Sequence, residues 1–290
     1  MAAHAVILAL FSALVLPLVL QRPMLSFCSQ ILAKKRMTRP NYRGEPVLTA
    51  GGLVLVASMA VTILVQLLLL ALAGAPREVL VQGLLLACGM AAMACWGWID
   101  DKAGDRITKG FRGHFGALLR ERRVTSGMGK LVGGGLTAVS VSLFVSAGFW
   151  PWLVACGLLA ISPNILNLFD LRPARAIKVF WLLVSLAAIG SVLGGTTGEP
   201  SAVWLFLLPV LVATVLFFPH DAGGRIMLGD TGANTLGFAI GYTYATATPL
   251  FWQAAFLCGF VALQVAAEFV SFSQVIEQKA WLKRLDEWGR

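Results

Sequence analysis

The chain has 290 residues, 58% hydrophobic and only 13% charged, with a formal net charge of +9 and a mean hydropathy of +0.80. A soluble domain of this length would carry about a quarter charged residues, so that class is excluded, and the positive charge points to cytoplasmic loops and anionic lipid headgroups rather than to nucleic acid. The five cysteines, Cys28, Cys88, Cys95, Cys156 and Cys258, sit mostly in apolar runs without metal-knuckle spacing, which argues for packing side chains and against disulfides or zinc.

Apolar runs long enough to cross a bilayer core recur along the chain. They predict an all-α, polytopic transmembrane bundle forming a single integral membrane domain over 1–290. About nine spans are expected, over 5–20, 48–70, 79–99, 130–149, 152–168, 177–193, 202–218, 233–244 and 251–272. The eighth is short. The opening "MAAHAVILALFSALVLPLVLQRP" lacks a basic n-region and a small-residue cleavage site, so it reads as a retained span rather than a cleaved signal. With the amino terminus outside, alternate loops collect 22 of the 23 basic residues, leaving only Arg77 on the other side. The positive-inside rule then places the carboxyl terminus and nearly all polar residues at the cytoplasmic face.

The third span ends in "WGWIDDKAGD", with Asp100 and Asp101 adjacent and Asp105 one turn on. Carboxylates can simply mark a span's exit from lipid. Two at a helix carboxyl end, where the dipole favours cations, also suit a bound cation or a base of raised pKa. The loop that follows interleaves Phe111, Phe115, Leu118 and Leu119 with Lys109, Arg112, Arg120, Arg122 and Arg123. An interfacial segment gripping headgroups and an ordinary positive-inside loop explain it about equally well. His114 is a lone histidine and reads as structural.

The fifth span ends in "SPNILNLFDLRPARAIK". Asn164, Asn167 and Asp170 are spaced three apart and share a helical face. Arg172, Arg175 and Lys178 follow, suited to the phosphates of a nucleotide sugar; the two asparagines alone would also suit interhelical hydrogen bonding. The segment after the seventh span, "FFPHDAGGRIMLGDTGAN", sets Arg225 and a glycine-flanked Asp230 before the eighth. Asp230 is either an ordinary N-cap or a metal ligand beside helix N–H groups that face a phosphate. The ninth span carries Gln264, Glu268 and Ser271 as a polar stripe, with Glu268 snorkelling to the surface or facing the same cavity. Glycine pairs at 129/133 and 237/241 permit close packing within the chain or a homodimer.

The cytoplasmic motifs "GEPVLTAGG", "IDD", "NILNLFD" and "MLGDTGAN" occur in an order that resembles the polyprenyl-phosphate N-acetylhexosamine-1-phosphate transferase superfamily over most of the chain. The resemblance implies Mg²⁺-dependent transfer (Mn²⁺ as an alternative) of a sugar-1-phosphate from a UDP-sugar to undecaprenyl phosphate, at the bacterial cytoplasmic membrane, for cell-envelope glycan synthesis. It makes Asp100, Asp101 and Asp230 catalytic, with Asp230 and Asp101 as metal ligands. It places Asn164, Asn167 and Asp170 on the nucleotide side, with Arg172, Arg175, Lys178, Lys109 and Arg225 as further substrate contacts. The chain departs from the family pattern at Pro173, where a second Asp is usual, at Met227, where an aromatic is common, and in lacking the histidine-rich motif. It ends instead in "SFSQVIEQKAWLKRLDEWGR". A catalytically silent relative that binds polyprenyl phosphate or scaffolds an envelope complex is the second reading. A transporter ranks last, because no internal repeat or broken-helix pattern is present.

Overall fold

In a computed structural model, the protein is described over residues 3–41, 43–103, 126–194 and 201–290. In chain order the described elements are α1 (Ala3–Lys34), β1 (Thr38–Pro40), β2 (Pro46–Leu48), α2 (Gly52–Leu72), α3 (Arg77–Ala103), α4 (Ser126–Val145), α5 (Phe149–Phe169), α6 (Arg175–Leu193), α7 (Val203–Ala222), α8 (Gly229–Ala247), α9 (Leu250–Ala267), α10 (Phe272–Gln278) and α11 (Ala280–Glu287). Each of the nine expected segments is helical. Seven helices, α1, α2, α3, α5, α6, α7 and α9, are long and apolar enough to cross a membrane, the makeup of a multi-pass membrane protein. Large side chains such as Phe11, Leu68, Leu143, Ile189 and Phe251 face outward, an apolar exterior that a water-soluble chain would bury.

The low hydropathy of the eighth segment has a packing cause. Helix α8 is the hub of the bundle, in contact with α2, α3, α5, α6, α7 and α9. It is buried along almost its whole length. A helix enclosed by protein rather than lipid can carry small and polar residues provided their hydrogen bonds are made inside. The hydroxyls of Thr235, Thr243 and Thr246 donate to carbonyls one turn back, at Thr231, Ala239 and Tyr242. Tyr242 donates to the Gln82 carbonyl at 2.9 Å and Tyr244 to the Leu183 carbonyl at 2.8 Å, tying α8 to α3 and α6. Gly97 lets α3 lie directly on the first turn of α8: a Cβ there would collide with the Asp230 carbonyl and Thr231 Cα. That contact brings the ends of α3 and α8 together at one end of the bundle.

Three boundaries differ from expectation. Helix α1 runs fourteen residues past position 20, to Lys34, because Cys28 and Leu32 bury against the bundle and Gln21 donates to the Leu216 carbonyl at 3.0 Å. Helix α9 stops at Ala267, so Glu268 caps it and Ser271 lies beyond; the expected polar stripe is not one helical face. A small sheet interrupts the all-helical expectation. Strands β1 and β2 pair antiparallel, with Arg39 opposite Val47. Leu48 also bridges Ile226 in parallel: Met227 N–H donates to Leu48 O, Gly51 N–H to Met227 O and Gly52 N–H to Leu228 O, each at 2.8 Å. The motifs "GEPVLTAGG" and "MLGDTGAN", far apart in sequence, are thus joined backbone to backbone.

Candidate functional site

Five carboxylates collect where α3, α5, α7 and α8 end or begin: Asp100 and Asp101 in the last turn of α3, Asp170 just after α5, Asp221 in the last turn of α7, and Asp230 in the first turn of α8. Two of them, Asp221 and Asp101, accept hydrogen bonds from the amino terminus of α8. The first N–H groups of any helix lack intrahelical partners. Here Leu228 N–H donates to Asp221 Oδ1 at 3.2 Å. Asp230 N–H donates to Asp101 Oδ1 at 3.2 Å and Thr231 N–H to Asp101 Oδ2 at 2.9 Å, and the Thr231 hydroxyl adds a 2.7 Å bond to the same oxygen. Three amides and one hydroxyl are satisfied by two side chains. The positive end of the helix dipole lies among negative charges.

Gly229 makes this convergence possible. Its φ is +70°, and a Cβ would sit 2.9 Å from Asp101 Oδ2 and 2.9 Å from the Ala50 amide nitrogen. Only glycine takes this left-handed turn without strain and leaves room for the carboxylate. Asp221 is a second organiser, since its Oδ2 accepts Ala174 N–H at 2.7 Å and so holds the left-handed turn (φ +63°) that starts α6.

The expectation that α8 offers open N–H groups to a phosphate is therefore overturned at Leu228, Asp230 and Thr231, whose amides point at carboxylates. Asp101, expected as a metal ligand, has both oxygens engaged as an acceptor. Instead Asp100 shares a cation with Asp230: Lys130 Nζ lies 2.6 Å from Asp230 Oδ2 and 3.9 Å from Asp100 Oδ2. All three side chains keep partial exposure, at 18% for Lys130, 26% for Asp100 and 31% for Asp230, as a group that meets a ligand requires. Arg39 backs the site, donating from Nη2 to the Asp101 carbonyl at 2.6 Å, where it also caps the end of α3.

Asp170 stands among like charges. Enclosure by the protein, and then the charges of Asp221, Asp230 and Asp101, push its pKa well above the usual carboxylate range against the opposing Gly229 N–H. The folded chain therefore keeps a proton that the unfolded chain releases at about pH 4. Stability from this group falls as pH rises from the ordinary carboxylate range through the raised value. Asp170→Asn keeps an oxygen for Gly229 N–H and removes the titration. Melting in detergent at pH 5 and pH 8 is expected to show a smaller loss of Tm with rising pH for the variant than for the wild type; parallel losses would contradict the buried charge.

Asn167 Nδ2 donates to Asn234 Oδ1 at 2.7 Å. Asn167 Oδ1 and Asn234 Nδ2 are buried without a hydrogen-bond partner, leaving one acceptor and one donor side by side. Buried polar atoms of this kind call for a ligand or ordered water. Asn164 lies one turn earlier on α5 at intermediate exposure. The expected basic cluster is not turned to the carboxylates. Arg175 forms a two-pronged bond with Asp286 (Nε to Oδ1 2.7 Å, Nη2 to Oδ2 2.8 Å), Arg172 pairs with Glu277 at 2.8 Å, and Lys178 donates to the Leu285 and Asp286 carbonyls at 3.0 and 2.7 Å. Arg225 reaches the Pro219 carbonyl at 3.2 Å. Lys109, with the rest of the basic loop from 104 to 125, lies outside the described residues. Sequence reading missed Lys130, Arg39, Asp221 and Asn234. Only the nearness of Asn234 and Asp221 to the "LGD" motif could have flagged them.

Among the described residues no group of three or more His, Cys, Asp or Glu side chains is placed to hold a metal ion by itself. The Asp100 and Asp230 donor set nevertheless suits Mg²⁺, a hard cation usually held by one or two carboxylates, several waters and substrate phosphates. Lys130 shows that the two carboxylates already converge on positive charge. No protein-family model matches the chain, and no curated protein matches it.

Proposed function

We propose that this chain is a divergent member of the polyprenyl-phosphate N-acetylhexosamine-1-phosphate transferase superfamily, moving a sugar-1-phosphate from a UDP-sugar to undecaprenyl phosphate at the cytoplasmic face of a bacterial membrane. The reading takes nine spans with the amino terminus outside. The observation that carries it is the convergence of Asp100, Asp230 and Lys130, from three motif-bearing or adjoining segments, at one end of an apolar bundle. An acceptor phosphate on a lipid and a soluble phosphorylated donor can meet only at such a surface.

Phosphoryl transfer needs positioning and charge compensation more than covalent catalysis. Lys130, released from its carboxylates, is the cation for a substrate phosphate. Asp100 and Asp230 would hold Mg²⁺, which when bound supplies charge neutralisation on the phosphates. Asp101 positions Asp230 by fixing its backbone. The unpaired amide atoms of Asn167 and Asn234 offer one acceptor and one donor, the complement of an amide or imide group on the donor substrate.

The test is a membrane preparation of the chain given radiolabelled UDP-sugars, undecaprenyl phosphate and Mg²⁺. A lipid-linked radioactive product is expected, with Asp230→Asn lowering its rate by at least about 100-fold at unchanged protein level. No product from any donor would sink the reading. The silent-relative reading has its own support: Asp101 is committed to capping α8, and Arg172, Arg175 and Lys178 to the chain's own tail. It gains if Asp230→Asn leaves function in the cell untouched.

A further inference from the structure

The last twenty residues fold back on the bundle. Phe272 stacks on Phe169 with ring centroids 5.7 Å apart. Ser273 accepts a 2.9 Å bond from Arg175 Nη1, and Glu277 and Asp286 pair with Arg172 and Arg175. Arg290 pairs with Asp286 at 2.9 Å and donates to the Pro173 carbonyl at 2.9 Å.

The other side is apolar and exposed. Trp281 is 64% exposed and Leu285 61%; Trp288, just past the end of α11, is 64% exposed but turns one side of its ring to the bundle, 6.0 Å from the Phe218 ring and 5.9 Å from Lys178 Nζ. At 100° per residue Trp281 and Leu285, i and i+4, fall about 40° apart on α11. Asp286 and Leu282 project about 100–140° away, toward the bundle. Lys279, Lys283 and Arg284 are exposed in the same segment. The stripe continues an existing lipid-type surface: α9, which leads into the tail, buries only Gln253 and Phe260, and its outward row of Val261 and Val265 runs on into Phe269 and Val270, all 45% exposed or more.

We infer that the carboxyl-terminal tail is a membrane-surface strap: Trp281 and Leu285 seat at the headgroup–acyl boundary of a bilayer containing anionic phospholipid, with the exposed part of Trp288 at the edge of the stripe, while Asp286 and Glu277 hold the opposite side to α6 and the α5–α6 connection. Tryptophan is enriched at this depth because its ring is amphipathic. An interfacial helix of this kind binds through its apolar stripe together with cations that meet anionic headgroups. Glu277 and Asp286 are turned to arginines of the bundle, whereas Glu287 pairs with Lys283 of the tail at 3.7 Å, so the attraction to anionic headgroups rests mainly on Lys279 and Arg284.

The full chain, with its five cysteines replaced by serine, is labelled with an environment-sensitive fluorophore at Leu285→Cys or at Glu287→Cys. It is reconstituted in vesicles of phosphatidylcholine and phosphatidylglycerol carrying a nitroxide near the headgroup end of the acyl chain. The label at 285 is expected to shift its emission to the blue and to be quenched by the lipid nitroxide. The label at 287 is expected to answer mainly to aqueous iodide, and omission of phosphatidylglycerol should weaken the quenching at 285. Equal iodide quenching at both positions overturns the inference. So does a label at 285 shielded from both quenchers, which would place a second copy or another protein on the stripe. A label-free measurement guards against misfolding of the cysteine-free chain: brominated phosphatidylcholine should quench a larger share of tryptophan emission in wild type than in Trp281→Phe, and equal shares count against the strap.

Discussion

Asp101→Ala is expected to lower the unfolding free energy by about 3 kcal/mol, and Asp101→Asn by nearly as much. Three donors converge on its two oxygens: Asp230 N–H, Thr231 N–H and the Thr231 hydroxyl. The side chain is 5% exposed, so water cannot replace the lost acceptor. A buried donor left without a partner costs about 1–3 kcal/mol, and bonds to a charged acceptor lie at the upper end; the loss of an ordinary cap costs about 1 kcal/mol. The Asn variant discriminates. Its amide has one oxygen, and its NH₂ would face an N–H donor. A residue kept only for volume would tolerate Asn, and one kept only as a metal ligand would leave stability almost unchanged in either variant. The measurement is denaturation in detergent together with amide exchange at Asp230 and Thr231, which should accelerate first because those two amides lose their acceptor while the centre of α8 stays enclosed. Near-wild-type stability of Asp101→Asn would refute the capping role.

The same network shows where the sequence is readable and where it is not. Hydropathy finds every helix of the bundle, because the long apolar runs are set by the solvent they must face. It ranks α8 lowest, although α8 is the centre, since a protein-enclosed helix satisfies its threonines and tyrosines through neighbours that hydropathy does not see. The clustering of carboxylates at one end is readable from the charge distribution. Their division of labour is not: whether a carboxylate faces an amide or a cation depends on where Gly229 and Gly97 let the backbones approach. Asp100 and Asp101 are indistinguishable as letters, yet one is buried against α8 and the other faces Lys130. Lys130 itself reads as the start of a span and as the lysine of "SGMGK", which lacks the first glycine of a phosphate loop and is followed by Leu131. The cations of "LRPARAIK" read equally well as partners for phosphate or for acidic side chains, and the partners lie more than 100 residues away in the tail.

Arg175→Ala should release that tail. The guanidinium is 4% exposed, its partner carboxylate 10%, and it also holds Ser273. Removing one member of a buried pair costs about 3–5 kcal/mol, because the remaining charge is left uncompensated. The tail carries few other buried contacts, so the loss is expected as a local opening rather than unfolding of the bundle. Trypsin should cut after Lys279, Lys283 and Arg284 far faster in the variant, while the Tm of the bundle barely moves. Arg175→Lys should fail to rescue, since an ammonium cannot reproduce the planar two-pronged bond. Burial pushes the Asp286 pKa up, but Arg175 and Arg290 outweigh it and hold the carboxyl below its usual range. A depressed carboxyl contributes stability that is present above the ordinary carboxylate pKa and is lost as pH falls through the lowered value; the wild-type tail should therefore stay docked at neutral pH and loosen only in acid. Asp286→Ala should expose the same cleavage sites, and the double variant Arg175→Ala/Asp286→Ala should cost less than the sum of the two, because each single change strands a charge that the double change removes. Additive effects would mean that the two residues hold the tail through separate contacts.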